Sequence, residues 1–463
     1  MPTECSQTEL DLGRSGGRRL VGAFDGGAIT SNGGVVLLAA ADRAIGLSRR
    51  LSHCFTDLRL ADAVRHSLPD LLRQRIFGLA LGHEDLIDHD ALRDDPALAA
   101  VLDKPGERLA GKSTLNRMEH ASKIGQDRHH KLDHDTAAIE RLFVDIFLDA
   151  HSEPPSRIVL DLDATDDPLY GEQEGRHFHG YYDCYCYLPL YIFCGRHLLA
   201  AKLRTSSIDA ADGATDEVAR IVAHIRERWP ATTIVVRADS GFCRDDLMTW
   251  CEANDVQYVL GLAGNERLVA KIGPEMRTAK RRAERTGQPA RVFADFAYRT
   301  RKSWSAERRV IGKAEHIMRP GLASGGGAQD KVGEANPRFI VTNVDPVFGP
   351  AQFMYERIYC ARGEMENRIK ECQTDLFADR TPAPTMRANQ LRLWLSSFAY
   401  VLMCAVRRIG LAGTKLAAAT CGTIRLKLLK IGALVTISVR RVKLAFASAC
   451  PDREVFEMAA RRL

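Results

Sequence analysis

Acidic residues stand at the ends of two predicted buried strands, and they are the residues best suited to chemistry. Residues 158–160 are Ile, Val and Leu, and the run leads directly into Asp161 and Asp163, which share one face of a strand because they are two positions apart. A second apolar run, 233–238, ends at Asp239. A carboxylate at the end of a buried strand is costly unless it is paired, and Mg²⁺ prefers carboxylate oxygens. The pattern therefore predicts a divalent-cation site.

A third acid lies on a long predicted helix, residues 353–377. Steps of three and four residues place a tyrosine, two cations, an acid and an amide on one helical face. A salt-bridged surface helix would show the same pattern, so this stripe is weak evidence when taken alone. Its members are Tyr359, Arg362, Glu366, Lys370 and Gln373.

The composition describes an ordinary globular chain. It has 463 residues, 45% hydrophobic and 27% charged, and a net charge of +6, which permits a nucleic-acid partner without requiring one. The N-terminus shows no secretory signal pattern, and the most apolar run, 393–406, is too short to span a bilayer. The 12 cysteines include no C-x-x-C pair, which indicates reduced thiols. We expect a cytoplasmic protein that does not contact a membrane.

The elements around the first two acids alternate between strand and helix. Residues 187–194 and 197–204 are predicted to form a hairpin, and a predicted amphipathic helix at 214–229 precedes the strand that ends at Asp239. A helix at 244–253 and a strand at 256–262 follow. This order predicts an α/β core.

The regions before this core are predicted to be an arm and a set of helices. Residues 1–20 are rich in Gly and Arg, which predicts a flexible arm, and residues 30–150 have helical periodicity. A short helix at 111–119 carries Lys112, Asn116 and Arg117. It fits the recognition helix of a helix-turn-helix, although a solvated helix face would look the same.

Two stretches after the core are strongly basic. Residues 267–313 contain fourteen basic and four acidic residues, with strand-like segments, Trp304 and a predicted glycine-rich loop at 321–327. Residues 381–450 contain no Asp or Glu. Arginines among aromatic residues favour a nucleic-acid groove, and both stretches fit phosphate contacts. We expect Arg281, Arg282 and Arg285 to make such contacts.

Taken together, these motifs resemble the DDE transposases of bacterial insertion sequences, in the group whose third acid lies in a Tyr–Arg–Glu–Lys motif. The resemblance rests on Asp163-Ala-Thr after a strand, on Asp239 at a second strand end, and on Tyr359-x-x-Arg-x-x-x-Glu366. The segments at 161–168, 171–175 and 187–191 are similar to one subgroup. The likeness extends from about residue 20 to 410.

The resemblance implies an α/β fold with an RNase H-like catalytic core, a mixed sheet with flanking helices, interrupted by a β-rich insertion. It also implies a helical N-terminal DNA-binding region. The implied domains are an arm with this region at 1–150, core at 151–265, insertion at 266–345, core again at 346–410, and a basic tail at 411–463.

The same resemblance implies roles for individual residues. Asp163 carries over as the first acid, with Asp161 as runner-up, and Asp239 and Glu366 as the second and third. Tyr359 and Arg362 match phosphate-contacting positions of the motif. The motif's Lys falls on Gln373, so Lys370, one turn earlier, is the alternative. A base-stacking aromatic residue in the insertion would be Phe339 or Trp304. The acids Asp166, Asp167, Glu364 and Glu371 are less suitable as ligands of the catalytic metal ions. A second metal site formed by His177-x-His179 with Cys184-x-Cys186 is only a minor alternative.

The implied activity is two-metal phosphoryl transfer on double-stranded DNA, with Mg²⁺ as the ion and Mn²⁺ as a substitute. The protein would cleave at the terminal inverted repeats of its element and join the 3′-OH ends to target DNA. A homodimer in the synaptic complex, associated with the bacterial nucleoid, is implied as well. Two alternatives remain: a metal-dependent nuclease without strand transfer, and a DNA-binding relative without catalysis.

Overall fold

The computed structural model describes residues 9–120, 131–320 and 331–463, and the predicted glycine-rich loop at 321–327 lies outside them. The protein is an α/β protein with a mixed sheet and helices. It divides into two compact units. The first comprises Met1–Asp135, Thr374–Phe377 and Leu395–Leu463, and the second comprises Thr136–Gln373 and Ala378–Trp394.

The first unit combines N-terminal and C-terminal segments. Its strands are β1 (Leu10–Ser15), β2 (Arg18–Gly22), β3 (Ile29–Thr30), β4 (Phe55–Asp57) and β5 (Leu132–His134), with β18 (Ala433–Ser438) and β19 (Arg441–Phe446) from the other end of the chain. Its helices are α1 (Val35–Ile45), α2 (Leu47–Ser52), α3 (Leu68–Ala80), α4 (His89–Leu92), α5 (Pro96–Val101), α6 (Lys112–Glu119), α15 (Cys421–Ile424) and α16 (Arg453–Arg462).

The second unit contains the predicted core. Its strands are β6 (Arg157–Ala164), β7 (Asp167–Pro168), β8 (His177–His179), β9 (Cys184–Tyr187), β10 (Leu190–Cys194), β11 (His197–Lys202), β12 (Thr233–Ala238), β13 (Gln257–Leu262), β14 (Ala290–Tyr298), β15 (Arg308–Pro320), β16 (Lys331–Ala335) and β17 (Arg338–Thr342). Its helices are α7 (Thr136–Asp149), α8 (Ala214–Arg228), α9 (Asp245–Ala253), α10 (Glu266–Lys271), α11 (Gly273–Thr286), α12 (Ala351–Phe353) and α13 (Gly363–Lys370); α14 (Met386–Ala405) begins in this unit.

A nine-stranded mixed sheet organises the second unit. Its order is β11-β10-β6-β12-β13-β17-β15-β14, and β16 pairs with the far end of β15. The three central strands β6, β12 and β13 are parallel, and the other pairs are antiparallel. Leu160 and Leu162 of β6 are fully buried in a cluster with Val218 and Ile221 of α8. Burying each such side chain contributes about 1.5–3 kcal/mol, which anchors the strand that carries the first acids.

The predicted insertion differs from expectation because it continues the main sheet. β17 pairs with β13, and β15 and β14 extend the sheet beyond it. Val310 and Val341 lie in the same hydrophobic cluster as the core strands, so apolar residues on these strands hold them to the core. The segment is also less β-rich than predicted. Its first part is helical, and Arg281, Arg282 and Arg285 lie on α11.

The ends of the chain are more ordered than predicted. The described part of the N-terminal arm forms the exposed hairpin of β1 and β2, and residues 1–8 lie outside the description. The C-terminal region folds into the β18–β19 hairpin and α16, and β18 pairs with β3. In the acid-free stretch 381–450, Arg392 and Arg407 are buried and so serve packing, whereas Arg408, Lys415 and Lys427 are exposed. Helix α7 belongs with the second unit because it packs on β11 and α8.

The long helix that carries the third acid is helical from Ala351 to Asp375, in agreement with the sequence, but it is irregular. Residues Met354–Tyr359 and Glu371–Asp375 form π-helical turns, and Cys360–Arg362 form a tighter 3₁₀ turn. Each departure rotates the residues that follow it, and π turns are common at functional sites. A single straight stripe through all five predicted residues is therefore not formed.

One segment, Met386–Gly410, is long and apolar enough to cross a membrane by length and composition. In the structure, 83% of its most apolar window is buried inside the protein. Such burial is typical of a core helix.

Candidate active site

The first two acids lie side by side at the ends of parallel strands. Leu162 of β6 is in register with Ala238, the last residue of β12, so Asp163 on β6 and Asp239 immediately after β12 are the next residues along the two chains. Neighbouring strands are about 4.8 Å apart, and in-register side chains of parallel strands project to the same face. Asp239 also accepts a hydrogen bond from the Gly241 backbone N–H at 2.8 Å, which fixes the carboxylate at the start of the following turn.

The ionised form of the Asp163 carboxyl is disfavoured in this environment. Burial raises its pKa to about 6, the guanidinium of Arg362 lowers it, and the nearby carboxylates of Asp239 and Glu366 raise it. An Nη atom of Arg362 is 3.2 Å from Asp163 Oδ2. The charges of the other two predicted acids therefore both act on the Asp163 carboxylate.

Arg362 is the cation that forms ion pairs with two of these acids, Asp163 and Glu366. Its other Nη atom is 2.9 Å from Glu366 Oε1, one helical turn away. Burial lowers the pKa of Arg362, but Asp163, Asp239 and Glu366 each raise it, and the net shift is upward. Arg362 thus links Glu366 to Asp163. Within the described part of the chain, no three His, Cys, Asp or Glu side chains are grouped as a ready-made metal site, and the guanidinium lies between two of the predicted ligands.

Asp161, the alternative first acid, has a different partner. It is 3% exposed and forms a two-pronged ion pair with Arg237, at 2.5 and 2.7 Å. Arg237 also donates to the backbone carbonyl of Ile358 at 2.5 Å. The pair therefore ties β6 and β12 to the segment that leads into the third-acid helix, and this makes Asp161 a positioning residue. Sequence analysis did not identify Arg237.

The Tyr359 hydroxyl lies close to the backbone of β13 at Gly261, where only a glycine leaves enough space for it. A Cβ atom at Gly261 of β13 would lie 2.6 Å from the Tyr359 hydroxyl and 3.1 Å from the carbonyl carbon of Asp239. Burial raises the pKa of Tyr359, and the charge of Asp239 adds to the rise. The hydroxyl is thus placed beside the second acid. Gly261 was also missed, because a glycine inside a strand has no unique meaning in a sequence.

The position of the motif's Lys is turned away from the acids. Gln373 donates from Nε2 to the Asp166 carbonyl and to Asp167 Oδ1, both at 3.1 Å. Asp167 is completely buried, and burial raises its pKa well above the ordinary value. Gln373 therefore fastens the end of the helix to the segment after Asp163. Lys370 has an exposed side chain on α13.

The two predicted stacking residues are in the core. Trp304 is 5% exposed and Phe339 is 3% exposed, and both belong to the main hydrophobic cluster. The Trp304 ring packs edge-on against Tyr298, with centroids 5.8 Å apart. Neither ring offers a free face to a base, so the prediction of base stacking by these residues is wrong for this structure. In the sequence, an aromatic residue within a basic segment looks the same whether its ring packs in the core or is exposed at the surface.

The residues predicted to contact DNA from α6 and α11 are on the surface. Lys112, Asn116 and Arg117 are exposed on α6, while Leu115 and Met118 of the same helix are fully buried. Lys112 lies 3.4 Å from Asp90. The basic face of α11 is likewise exposed, and the buried Ala279 and Ala283 hold its other face down. Its exposed basic residues are Arg277, Lys280, Arg281, Arg282 and Arg285.

The comparisons with known proteins decide the family. The family model described as transposase DDE domain group 1 matches residues 13–463. The chain belongs to this family. DDE transposase domains generally use divalent metals. No curated protein matches the chain.

Among solved structures, the chain is similar to the cryo-EM structure of the piggyBac transposase synaptic complex with hairpin DNA, at 10% identity and a TM-score of 0.38. The match covers 86% of this chain and 78% of that one. A likeness at that TM-score is too weak to carry an argument about this DDE transposase.

The two neighbouring aspartates of β6 should respond oppositely to neutralisation. Burial raises the pKa of Asp161 even beside Arg237, but Asp161→Asn leaves the buried Arg237 without its counter-charge, and removing one partner of a buried ion pair should lower the free energy of unfolding by about 3 kcal/mol. Asp163→Asn removes a carboxylate whose folded pKa of about 6 lies above its ordinary 3.8, so folding favours its protonated form. That contribution is present below pH 3.8 and is lost as the pH rises through about 6. The substitution should therefore stabilise the metal-free protein at pH 8 by up to about 3 kcal/mol and have no such effect near pH 4.

Denaturant unfolding of both variants at these two pH values tests the assignment. Equal destabilisation of Asp161→Asn and Asp163→Asn at pH 8 would contradict it.

Proposed function

We propose that this DDE transposase cleaves DNA at the ends of its own mobile element and joins the freed 3′-OH ends to target DNA. Asp163, Asp239 and Glu366 are the proposed catalytic acids. The observation that supports the proposal is that Arg362 pairs with both Asp163 and Glu366, while the charge of Asp239, which follows the adjacent parallel strand, also raises the pKa of that guanidinium.

The chemistry of the donors fits a hard divalent cation. Three carboxylates, one of them with a pKa raised by burial, create a demand for positive charge that Arg362 meets in this structure. Asp163, Asp239 and Glu366 would hold two Mg²⁺ ions, or Mn²⁺ in their place. When bound, these ions would activate the attacking oxygen and stabilise the leaving oxygen. Arg362 would then be released from the acids to contact a DNA phosphate, with Tyr359 beside it.

The finer classification is part of the proposal. We place the protein with the bacterial insertion-sequence enzymes whose third acid follows a Tyr-x-x-Arg motif, and we interpret the central strands as an RNase H-like core. Double-stranded DNA, as terminal inverted repeats and as target, is the proposed partner. A homodimer is the proposed synaptic form, and the cytoplasmic nucleoid is its proposed location.

Catalysis and DNA binding should be separable. Asp163→Asn should abolish cleavage and joining while end binding remains, because it removes a proposed metal ligand and no phosphate contact. The assay incubates full-length protein, Mg²⁺ and a plasmid carrying the element's own flanking DNA, and measures excised and joined products alongside gel-shift binding. Asp166→Asn, three residues further along the chain, is the matched control and should retain activity.

Two results would redirect the assignment. Cutting without joining by the wild-type protein would favour a metal-dependent nuclease. Binding without either reaction would favour a catalytically silent relative.

Arg362 should oppose metal binding and yet be required for activity. The guanidinium competes with a cation for Asp163 and Glu366, so Arg362→Ala should bind Mn²⁺ about fivefold more tightly in the absence of DNA, as expected for removal of a competing ion pair worth about 1 kcal/mol. The same variant should lose strand joining. Mn²⁺ titration followed by electron paramagnetic resonance measures the affinity, with Arg357→Ala on the same helix as control. Weaker Mn²⁺ binding by Arg362→Ala would contradict this competition.

The basic face of α11 and the face of α6 should contribute differently to DNA binding. Replacing Arg281, Arg282 and Arg285 with Ala should flatten the dependence of log K on log salt by roughly 0.9 for each phosphate that is no longer neutralised, and weaken binding to specific and random duplexes equally. Replacing the three predicted recognition residues should reduce the ratio of specific to random binding. That second variant carries Ala at Lys112, Asn116 and Arg117.

Salt titrations on terminal and scrambled duplexes measure both effects. An unchanged salt slope with loss of specific binding alone, in the α11 variant, would reverse the division of labour.

A further inference from the structure

The first unit contains a cavity with a volume of about 690 Å³. Its described lining residues lie between positions 59 and 132, on α3, on α6 and on the segments around them, so this wall belongs to the first unit. Leu71, Leu109 and Leu132, which are all buried, supply its apolar part. A volume of this size is typical of sites for small molecules, and it can admit the end of a single strand but not a DNA duplex.

Positive charge dominates this cavity. None of the described residues that line it is Asp or Glu. Burial lowers the pKa of His66, which is one of them, and the charges of Lys104 and Arg65 lower it further. A cavity with such a wall favours an anion. Its lysine and arginine residues are Arg59, Arg65, Arg93, Arg108, Arg117 and Lys131.

Two of these arginines are oriented by acids that are not part of the lining. Arg59 donates two hydrogen bonds to Asp57, from Nε at 2.8 Å and from Nη2 at 2.6 Å. Arg108 donates to Asp94 in the same way, at 2.8 and 2.9 Å. A guanidinium has five N–H groups, so each arginine is held by its acid and keeps N–H groups for a further acceptor.

The other four cations are not neutralised by close acids. Arg65, Arg117 and Lys131 are exposed, and none of them forms an ion pair with a described residue. Arg93 has only long ion-pair contacts, at 3.9 and 4.0 Å, and its buried Nε has no hydrogen-bond partner among the described residues. An unsatisfied buried donor is unfavourable, so an added acceptor would improve the environment of this side chain. The cavity therefore has positive charge to offer to a ligand.

The amount of this charge indicates which anion fits. A phosphodiester carries one negative charge, whereas a terminal phosphate carries about two at pH 8. The proposed cleavage produces such a group. Water attacks phosphorus, the bond to the 3′ oxygen breaks, and that oxygen takes one proton of the water while the other is released to solvent. One product ends in a 3′-OH and the other in a 5′-phosphate.

We propose that this cavity binds the 5′-phosphate at the end of a cleaved DNA strand. The inference rests on the proposed function, which supplies that end. The first turn of α6 favours the same group, because Gly111 and Thr114 also line the cavity. Thr114 adds a hydroxyl donor, and the N-terminal end of a helix carries partial positive charge.

The test measures binding of a short single-stranded oligonucleotide to the full-length protein by fluorescence anisotropy at pH 8. One probe ends in a 5′-phosphate, and the other, of the same sequence, ends in a 5′-OH. The wild-type protein should bind the phosphorylated probe about tenfold more tightly, because the terminal phosphate gains charge-assisted hydrogen bonds. The double variant Arg65→Ala with Lys131→Ala should reduce this preference to about twofold or less.

Two exposed arginines elsewhere in the first unit provide the matched control. The double variant Arg43→Ala with Arg49→Ala removes the same charge without altering the described lining, so it should keep the preference of the wild type. All four replaced side chains are exposed, so both variants should also keep the melting temperature of the wild type.

The outcomes separate this inference from the proposed function. Equal binding of both probes by the wild-type protein overturns the inference, and so does a preference that survives in Arg65→Ala with Lys131→Ala or is lost equally in the control. Competition by thymidine 5′-monophosphate as strong as competition by the phosphorylated strand would make a free nucleotide the ligand and overturn the assignment to DNA. If the wild-type protein neither binds nor cleaves the duplex ends of its element, the proposed function fails, whereas a phosphate preference that depends on Arg65 and Lys131 still supports the cavity as a 5′-phosphate site.

Discussion

The concentration of negative charge at the ends of β6 and β12 is the constraint on which the second unit depends. Two aspartates two positions apart on β6 meet it in different ways. Asp161 has a buried guanidinium from the adjacent strand, and Asp163 has one from the third-acid helix. The first pair is internal to the sheet and also holds the segment at Ile358. The second joins elements far apart in sequence, and its cation also contacts Glu366. The Asp161–Arg237 pair suits a permanent support, whereas at Asp163 the guanidinium of Arg362 can be exchanged for a different cation.

The sequence predicted the elements of the site but left the choice between the two aspartates open. An apolar run that ends in an acid is a local pattern, and so is an Arg four residues before a Glu on a helix. Both were visible in the chain. Strand register distinguishes the two: Arg237 is directly opposite Asp161, whereas Asp163 lies one residue beyond the last pair of β6 and β12, Leu162 and Ala238. Register depends on which strands pair, and a single sequence does not contain that information. The close approach of Tyr359 to Gly261 likewise depends on strand pairing, in this case between β12 and β13.

Composition was a weaker guide in the predicted insertion, residues 266–345. The charge asymmetry there did not predict helix α11, but the basic residues of that helix are exposed, because burial of Ala279 and Ala283 turns its arginines outward. The aromatic residues there were misinterpreted. Trp304 and Phe339 have the same side chains as surface stacking residues, and only the continuation of the main sheet through β17 and β15 shows that they fill its core.

The environment of Gln373 explains why an amide stands where the motif has a lysine. The π-helical turn that begins at Glu371 points Gln373 towards Asp167, which is fully buried and has a pKa raised by that burial. A neutral amide donates to this carboxyl without bringing a second charge into the buried site. A lysine would create a buried ion pair, whose desolvation cost is often larger than its Coulombic gain. Gln373 therefore fastens the third-acid helix to the segment after the strand of the first acid through hydrogen bonds alone. Lys370, one turn closer to Glu366, has an exposed side chain and stays the alternative that the sequence proposed for the motif's cation.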